Sequence, residues 1–201
     1  MSGRRMAEVA LAATLLLILF PILLAAALCI FIEDGGPVVF VHSRIGFGGK
    51  SFPCLKLRSM CVDAGARLDA LLQSDANARA EWQATQKLRT DPRITVVGRV
   101  LRQWSIDELP QLLNVIAGHM SLVGPRPIVA AEVARYGHRI TSYFAVRPGL
   151  TGLWQVRGRS DTSYRTRIAM DVVYAKRRSI GLDIHILVKT AAVVLSREGS
   201  C

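Results

Sequence analysis

Covalent tethers are almost missing from this 201-residue chain. It has four cysteines, Cys29, Cys54, Cys61 and Cys201, with no C-x-x-C pair and no paired histidine spacing, which argues against a zinc site. Reduced, unpaired thiols are expected instead, in keeping with a protein that faces the cytoplasm. Acidic residues are also few: 15 Asp and Glu stand against 26 Lys and Arg, for a net charge of +11. The imbalance is steepest between Arg135 and Arg178, where ten basic residues meet two acids, Asp161 and Asp171. A surface so basic suits nucleic acid, an anionic membrane lipid or a nucleotide diphosphate. No nucleic-acid docking module is recognisable, so no nucleic-acid partner is expected. Internal repeats and low-complexity tracts are absent as well. The length allows one domain, or one domain plus an anchor.

What the chain does have is one long apolar run. Hydrophobic residues reach 51% and concentrate at the N-terminus. Val9 to Ile32 carries no charge for 24 positions, enough at ~1.5 Å per residue to cross a bilayer. The run exceeds the apolar core of a cleaved signal peptide, about 7–15 residues. Leu28 is too bulky for the small residue expected before a lipoprotein cysteine at Cys29. A polytopic transporter would need further spanning segments, and this is the one convincing candidate. Arg4 and Arg5 precede the run, and Glu33 and Asp34 follow it. By the positive-inside rule, a straight span would send everything after Ile32 across the membrane. Pro21 offers another path. In mid-helix it removes a backbone donor and crowds the carbonyl of Leu17, and a bend there returns both halves to one face.

Gly35, Gly36 and Pro37 then turn the chain. Val38–His42 and Phe52–Met60 read as short strands joined by the Gly-rich Gly46–Lys50, a hairpin. Ala64–Leu88 reads as a polar surface helix, broken at the proline of Thr90–Ile94. Helices are expected at Gly98–Arg102, Asp107–Ile116, Ile128–Tyr136, Thr162–Arg178 and Leu182–Ser196. The last is apolar on most sides but, at 15 residues, too short to span comfortably. It is either a buried core helix or one lying in the membrane interface. The expected class is α-rich α+β.

The most informative stretch is Leu101–Pro127, with the adjacent carboxylates Asp107 and Glu108 at its centre and Arg102 and Arg126 around them. Carboxylates can supply a nucleophile and a metal ligand, and guanidinium groups bind phosphate oxygens bidentately. A plainer reading competes: Ser105-x-x-Glu108 matches a capping box, and Asp107 could cap a helix that has Pro110 in its first turn. Neighbours on a helix point about 100° apart, so the two acids cannot easily share a proton, but they can divide labour. Arg126 lies between two stiffening prolines and Arg147 precedes the Pro148–Gly149 turn, which makes both candidates for phosphate contacts. Gly149 and Gly152 allow close backbone approach to a ligand. Arg157 and Arg159 lie just beyond, and Lys56 and Arg58 on the second strand are further candidates.

Four blocks in chain order, Gly35–Phe52, Lys56–Met60, Leu101–Pro127 and Arg147–Arg159, resemble the bacterial sugar transferases that act on polyprenyl phosphate, the monotopic phosphoglycosyl transferases. The resemblance covers nearly the whole chain. The stretches around Arg147–Tyr164 and Val188–Ser200 look most like the exopolysaccharide subgroup that starts a repeat unit with galactose or glucose. It implies a re-entrant membrane-anchoring helix over residues 1–34 hinged at Pro21, normally with Ser before the proline where this chain has Phe20. Residues 35–201 would form a small cytoplasmic domain on the bacterial inner membrane, with interfacial amphipathic helices and both termini on the cytoplasmic side. It further implies that Asp107 attacks the sugar-linked phosphorus of a UDP-sugar, releasing UMP, and that undecaprenyl phosphate then takes the sugar phosphate from the aspartate. Mg²⁺ would be held by Glu108, with Asp107, against the diphosphate, and Arg102 would meet the lipid phosphate. Asp171 matches an acidic position of the family that supports the arginines, and His42 stands where the family more often has Gln. The competing reading is a non-enzymatic membrane adaptor whose basic half grips anionic lipid and whose acidic pair merely caps a helix.

Overall fold

The computed structural model describes residues 3–85, 88–157 and 162–196. The apolar run folds as one helix, α1 (Gly3–Asp34), which continues through Pro21. Gly35 ends it in the left-handed conformation at φ 59°, its N–H returning to the carbonyl of Phe31. The expected hairpin follows as β1 (Val39–Ile45) and β2 (Ser51–Leu57), antiparallel with Val39 opposite Leu57. Gly48 and Gly49, at φ 66° and 76°, make the turn between them. Alternation along β2 sends Phe52 and Cys54 into the core.

The single helix expected over Ala64–Leu88 is instead two, α2 (Ala64–Ser74) and α3 (Ala76–Thr85). The break is at Asp75, whose carboxylate accepts from the N–H groups of Asn77 and Ala78 and so starts a new helix. The chain then runs through α4 (Val96–Gln103), α5 (Gln111–Ile116), β3 (Ser121–Val123), α6 (Val133–Tyr136), α7 (Ile140–Phe144), β4 (Gly149–Thr151), α8 (Tyr164–Arg177) and α9 (Ile180–Ser196). β3 and β4 pair in parallel, Ser121 opposite Gly149.

α1 is apolar all round yet buried along one stripe. Ala12 packs with Leu112, Val115 and Ile186, and further along Ala26 and Ile30 pack with Leu57 and Leu101. Leu17, Phe20, Leu24 and Ile32 are exposed. Both charged ends of the helix are pinned to the same domain. At one end Arg5 donates to the carbonyls of Val115 and Met120, and Glu8 accepts from Ser121 Oγ at 2.9 Å. At the other, Glu33 accepts from the N–H groups of Val96 and Val97 at 2.7 and 3.1 Å, and Asp34 from that of Val62 at 2.8 Å. Charges that read as topology signals in the sequence thus also serve as caps. Glu33 satisfies the open start of α4, and Arg5 a carbonyl near the end of α5.

A third cluster, Tyr136, Tyr143 and Ile168, joins α6, α7 and α8. The hydroxyl of Tyr143 donates to the carbonyl of Ile45 and ties this half to the hairpin. α9 is not a buried core helix. Ile186 is fully buried against the first half of α1, but Ile180, Ile184 and Val188 are all more than half exposed.

Candidate functional site

The site begins with a backbone irregularity. α4 stops at Gln103, and Ser105 adopts φ 56°, the single non-glycine residue with positive φ among the described residues. Such a conformation costs of order 1–3 kcal/mol and persists only where its surroundings hold it. Here Ser105 N–H bonds the carbonyl of Arg102, and its own carbonyl accepts from Glu108 N–H. A 3₁₀ turn, Ile106–Glu108, follows and presents the two acids before α5 starts. The capping box does not form. Ser105 makes no side-chain cap bond, the N-cap position of α5 is Pro110, and the Glu108 carboxylate turns away to Lys56.

Lys56 Nζ donates to Glu108 Oε1 at 2.6 Å and lies 3.9 Å from Asp107 Oδ2. Asp107 is only 7% exposed. Burial pushes its carboxyl up to about 6, with Glu108 adding to the rise and Lys56 and Arg102 opposing it. Glu108 ends on the other side. Burial raises it, but Lys56, Arg126 and Arg44 together hold it below the usual glutamate value. The two neighbours are therefore different groups near neutral pH. Glu108 is firmly anionic, and Asp107 is an ionised carboxylate kept at some cost.

Arg44, Lys56, Glu108, Gln111, Arg126 and Gln155 line one narrow cleft, closed on another side by Gly149 and Leu150. Arg126 lines the cleft, and its charge acts on both Glu108 and Asp171. Behind it, Asp171 is 2% exposed and accepts from the hydroxyl of Tyr136 at 2.8 Å. Burial drives Asp171 up to about 7, against Tyr136, Arg126 and Arg167. Gln155 Oε1 is buried without a partner.

Of the residues read from sequence, Lys56, Glu108 and Arg126 meet in the cleft, with Asp107 and Arg102 beside it. Arg102 donates to Ser59 Oγ, and its charge helps hold the Asp107 carboxyl down. Arg58 lies outside the cleft lining. It is 8% exposed, donates to the carbonyl of Gly35 and pairs with Asp34, fastening the end of α1. Arg147 points elsewhere, donating to the carbonyl of Gly118 and lying over Phe47, outside the cleft. Arg157 is exposed at the end of a turn and Arg159 lies outside the described residues. Gly149 and Gly152 serve backbone packing more than a ligand: a Cβ on either would strike the backbone of Gly124. Sequence reasoning missed Arg44, Gln111 and Gln155. Arg44 carries a readable signal, because it shares a strand face with His42, whose Nδ1 it contacts at 3.2 Å.

With the geometry in hand, comparison with known proteins is decisive on family. The family described as bacterial sugar transferase matches residues 1–197.

The chain belongs to the bacterial sugar transferase family.

The undecaprenyl-phosphate galactose phosphotransferase of Salmonella typhimurium is 53% identical over 168 residues, 84% of this chain and 35% of that protein. The exopolysaccharide production protein ExoY of Rhizobium meliloti is 46% identical, over 98% of this chain and 88% of its own length. A UDP-glucose:undecaprenyl-phosphate glucose-1-phosphate transferase of Caulobacter vibrioides is 43% identical over 98% of this chain. The Salmonella relative and two others are much longer, and the chain spans only 35%, 42% and 38% of them.

The carboxylates fit a hard divalent cation of the Mg²⁺ type. Among the described residues no group of three or more His, Cys, Asp or Glu could cage a metal alone. Mg²⁺ asks for less: one or two carboxylates, with substrate phosphate and water completing its shell. Glu108, kept ionised beside Asp107, meets that demand.

Proposed function

We propose that this chain transfers a sugar 1-phosphate, galactose or glucose, from a UDP-sugar to undecaprenyl phosphate, the first membrane step of exopolysaccharide synthesis. The observation that carries the reading is Asp107: a buried carboxylate beside Lys56 and Glu108, at the edge of a cleft lined by Arg44 and Arg126. An Asp107 oxygen attacks the sugar-linked phosphorus, and the bond from that phosphorus to the UMP oxygen breaks. An oxygen of undecaprenyl phosphate then attacks the same phosphorus and displaces the aspartate. Arg44, Arg126 and Lys56 bind the phosphate oxygens, Lys56 leaving Glu108 as the diphosphate arrives. Arg102 meets the lipid phosphate. Glu108, with Asp107, would hold Mg²⁺, which would neutralise the diphosphate charge. The adaptor reading loses its footing, because it needed the acids to be caps.

Release of UMP from UDP-galactose or UDP-glucose, on adding undecaprenyl phosphate and Mg²⁺, is the direct test. Release is expected with at least one of the two sugars and is expected to stop in excess chelator. No UMP with either sugar would overturn the transferase reading, and full activity in chelator would remove the metal from it.

In this reading α1 lies in the cytoplasmic leaflet of the inner membrane, entering and leaving by the same face. Support comes from its two ends, which hold one domain through Arg5 and Glu33 while Leu17, Phe20 and Leu24 stand exposed between them. Pro21, near the midpoint, is the expected hinge. Cysteines engineered at residues 3 and 63 in a background lacking the native ones should both label from the cytoplasmic side. Labelling from opposite sides would favour a true span.

A further inference from the structure

A second cavity, of about 210 Å³, lies outside the catalytic cleft. Arg4, Arg5, Arg147 and Arg178 line it, with Glu8 as the acid among them. The parallel pair of β3 and β4 separates the two spaces. Ser121 and Val123 face this cavity, while Gly149 and Leu150 face the cleft.

Two of the four cations are already compensated. Arg4 pairs with Asp183 and lies 3.7 Å from Glu8, and Arg5 bonds Glu8 at 3.1 Å besides the two carbonyls that it caps. The other two are not. Arg147 spends its Nε on the carbonyl of Gly118, leaving both terminal nitrogens, and Arg178 has no hydrogen bond or ion pair among the described residues. A polar cavity with two guanidinium groups that pair with no acid among the described residues suits an anion with several oxygens, a phosphate before a carboxylate.

Its position selects the source. Arg4 and Arg5 belong to the first turns of α1, and Arg178 is the residue that ends α8 just ahead of α9. Beside them the outward side chains are apolar: Met6 is 61% exposed, Ile180 63% and Ile184 56%. Phosphate binders flanked by bare apolar helix faces match a phospholipid, with headgroup in the cavity and acyl chains along α1 and α9. We propose that this cavity binds the phosphate of an anionic glycerophospholipid and sets how the domain sits on the membrane. The site rests on the membrane placement of α1 proposed above.

Thermal unfolding of the full chain in mild detergent tests it, titrated with dioctanoyl phosphatidylglycerol, dioctanoyl phosphatidylcholine or inorganic phosphate. A ligand that binds only the folded state raises the melting temperature. Phosphatidylglycerol should raise it in the wild type, at concentrations where the other two do not. In the Arg147→Gln, Arg178→Gln double variant the concentration needed should rise about tenfold or more, two charge-assisted contacts being lost. Equal response of wild type and variant, or none in either, would overturn the site. A matching rise from inorganic phosphate would leave an anion site but overturn its assignment to lipid. Flotation with phosphatidylcholine vesicles separates anchoring from headgroup binding. Both proteins should float, and failure of the wild type to do so would overturn the membrane placement and this site with it.

Discussion

Asp107→Asn is expected to abolish turnover, by at least about 10³-fold, while leaving the protein folded and more stable at neutral pH. The amide has the same shape but no anionic oxygen to attack phosphorus. The stability gain follows from the sign of the pKa change. Folding raises the Asp107 carboxyl from its ordinary 3.8 to about 6, so the folded state binds its proton more tightly. That proton's contribution to stability is fully present below about 4 and is lost as the pH rises through 6. At pH 8 the wild type therefore carries a buried charge at a cost on the order of 1–3 kcal/mol, and the neutral amide avoids it. Urea unfolding at pH 4 and pH 8 should show the variant ahead only at the higher pH. A helix cap would behave in the opposite way, since Asn is among the best caps and activity would survive. With acceptor lipid withheld, the wild type should release about one UMP per active site and keep the sugar phosphate, whereas the variant should do neither. A labelled adduct on the Asn protein would remove Asp107 from the role of nucleophile.

How far the sequence led depended on the range of the signal. Local punctuation carried the hairpin and most helices, because Gly35, the Gly46–Lys50 turn and the proline of Thr90–Ile94 act where they stand. The break at Asp75 was also local, a capping residue hidden inside a stretch that otherwise favours helix. The acidic pair was plain in the sequence, but its bland reading failed on one dihedral angle, that of Ser105, which no residue pattern announces. What makes Asp107 a different acid from Glu108 came from a distance. Lys56 sits on a strand some fifty positions earlier, and pairing between β1 and β2 decides that Arg44 stands near it. Arginines were overcounted for the same reason. Arg58 and Arg147 look like ligands for the substrate phosphates by neighbourhood alone, yet Arg58 is taken by the carbonyl of Gly35 and Arg147 stands outside the cleft, on the second cavity. Glycines beside Arg147 suggest room for a ligand by sequence, whereas the backbone they make room for is that of Gly124.

Lys56→Met is expected to shift the acid limb of kcat/KM upward from near pH 6 to about pH 7 or beyond, and to lower its plateau by about 10²-fold. The limb in the wild type reports ionisation of Asp107, which must be charged to attack, so activity rises with pH through about 6. Lys56 lies 3.9 Å from that carboxylate and opposes the effect of burial. At an effective dielectric of about 20, such a pair is worth roughly 4 kcal/mol before solvent screening. A third of that is enough to move the titration by about one pH unit. The same substitution strips Glu108 of its 2.6 Å partner. Glu108 is held below its ordinary 4.5 because Lys56, Arg126 and Arg44 outweigh burial, so its contribution to stability is present above 4.5 and lost as the pH falls below that. The variant should thus be less stable than wild type at pH 7, by about 1–3 kcal/mol, with the gap closing toward pH 3. Pairing the pH profile with melting curves separates the two effects. An acid limb that stays near pH 6 in the variant would mean that the group titrating there is not Asp107, and Asp171, which burial drives to about 7, would be the next to mutate.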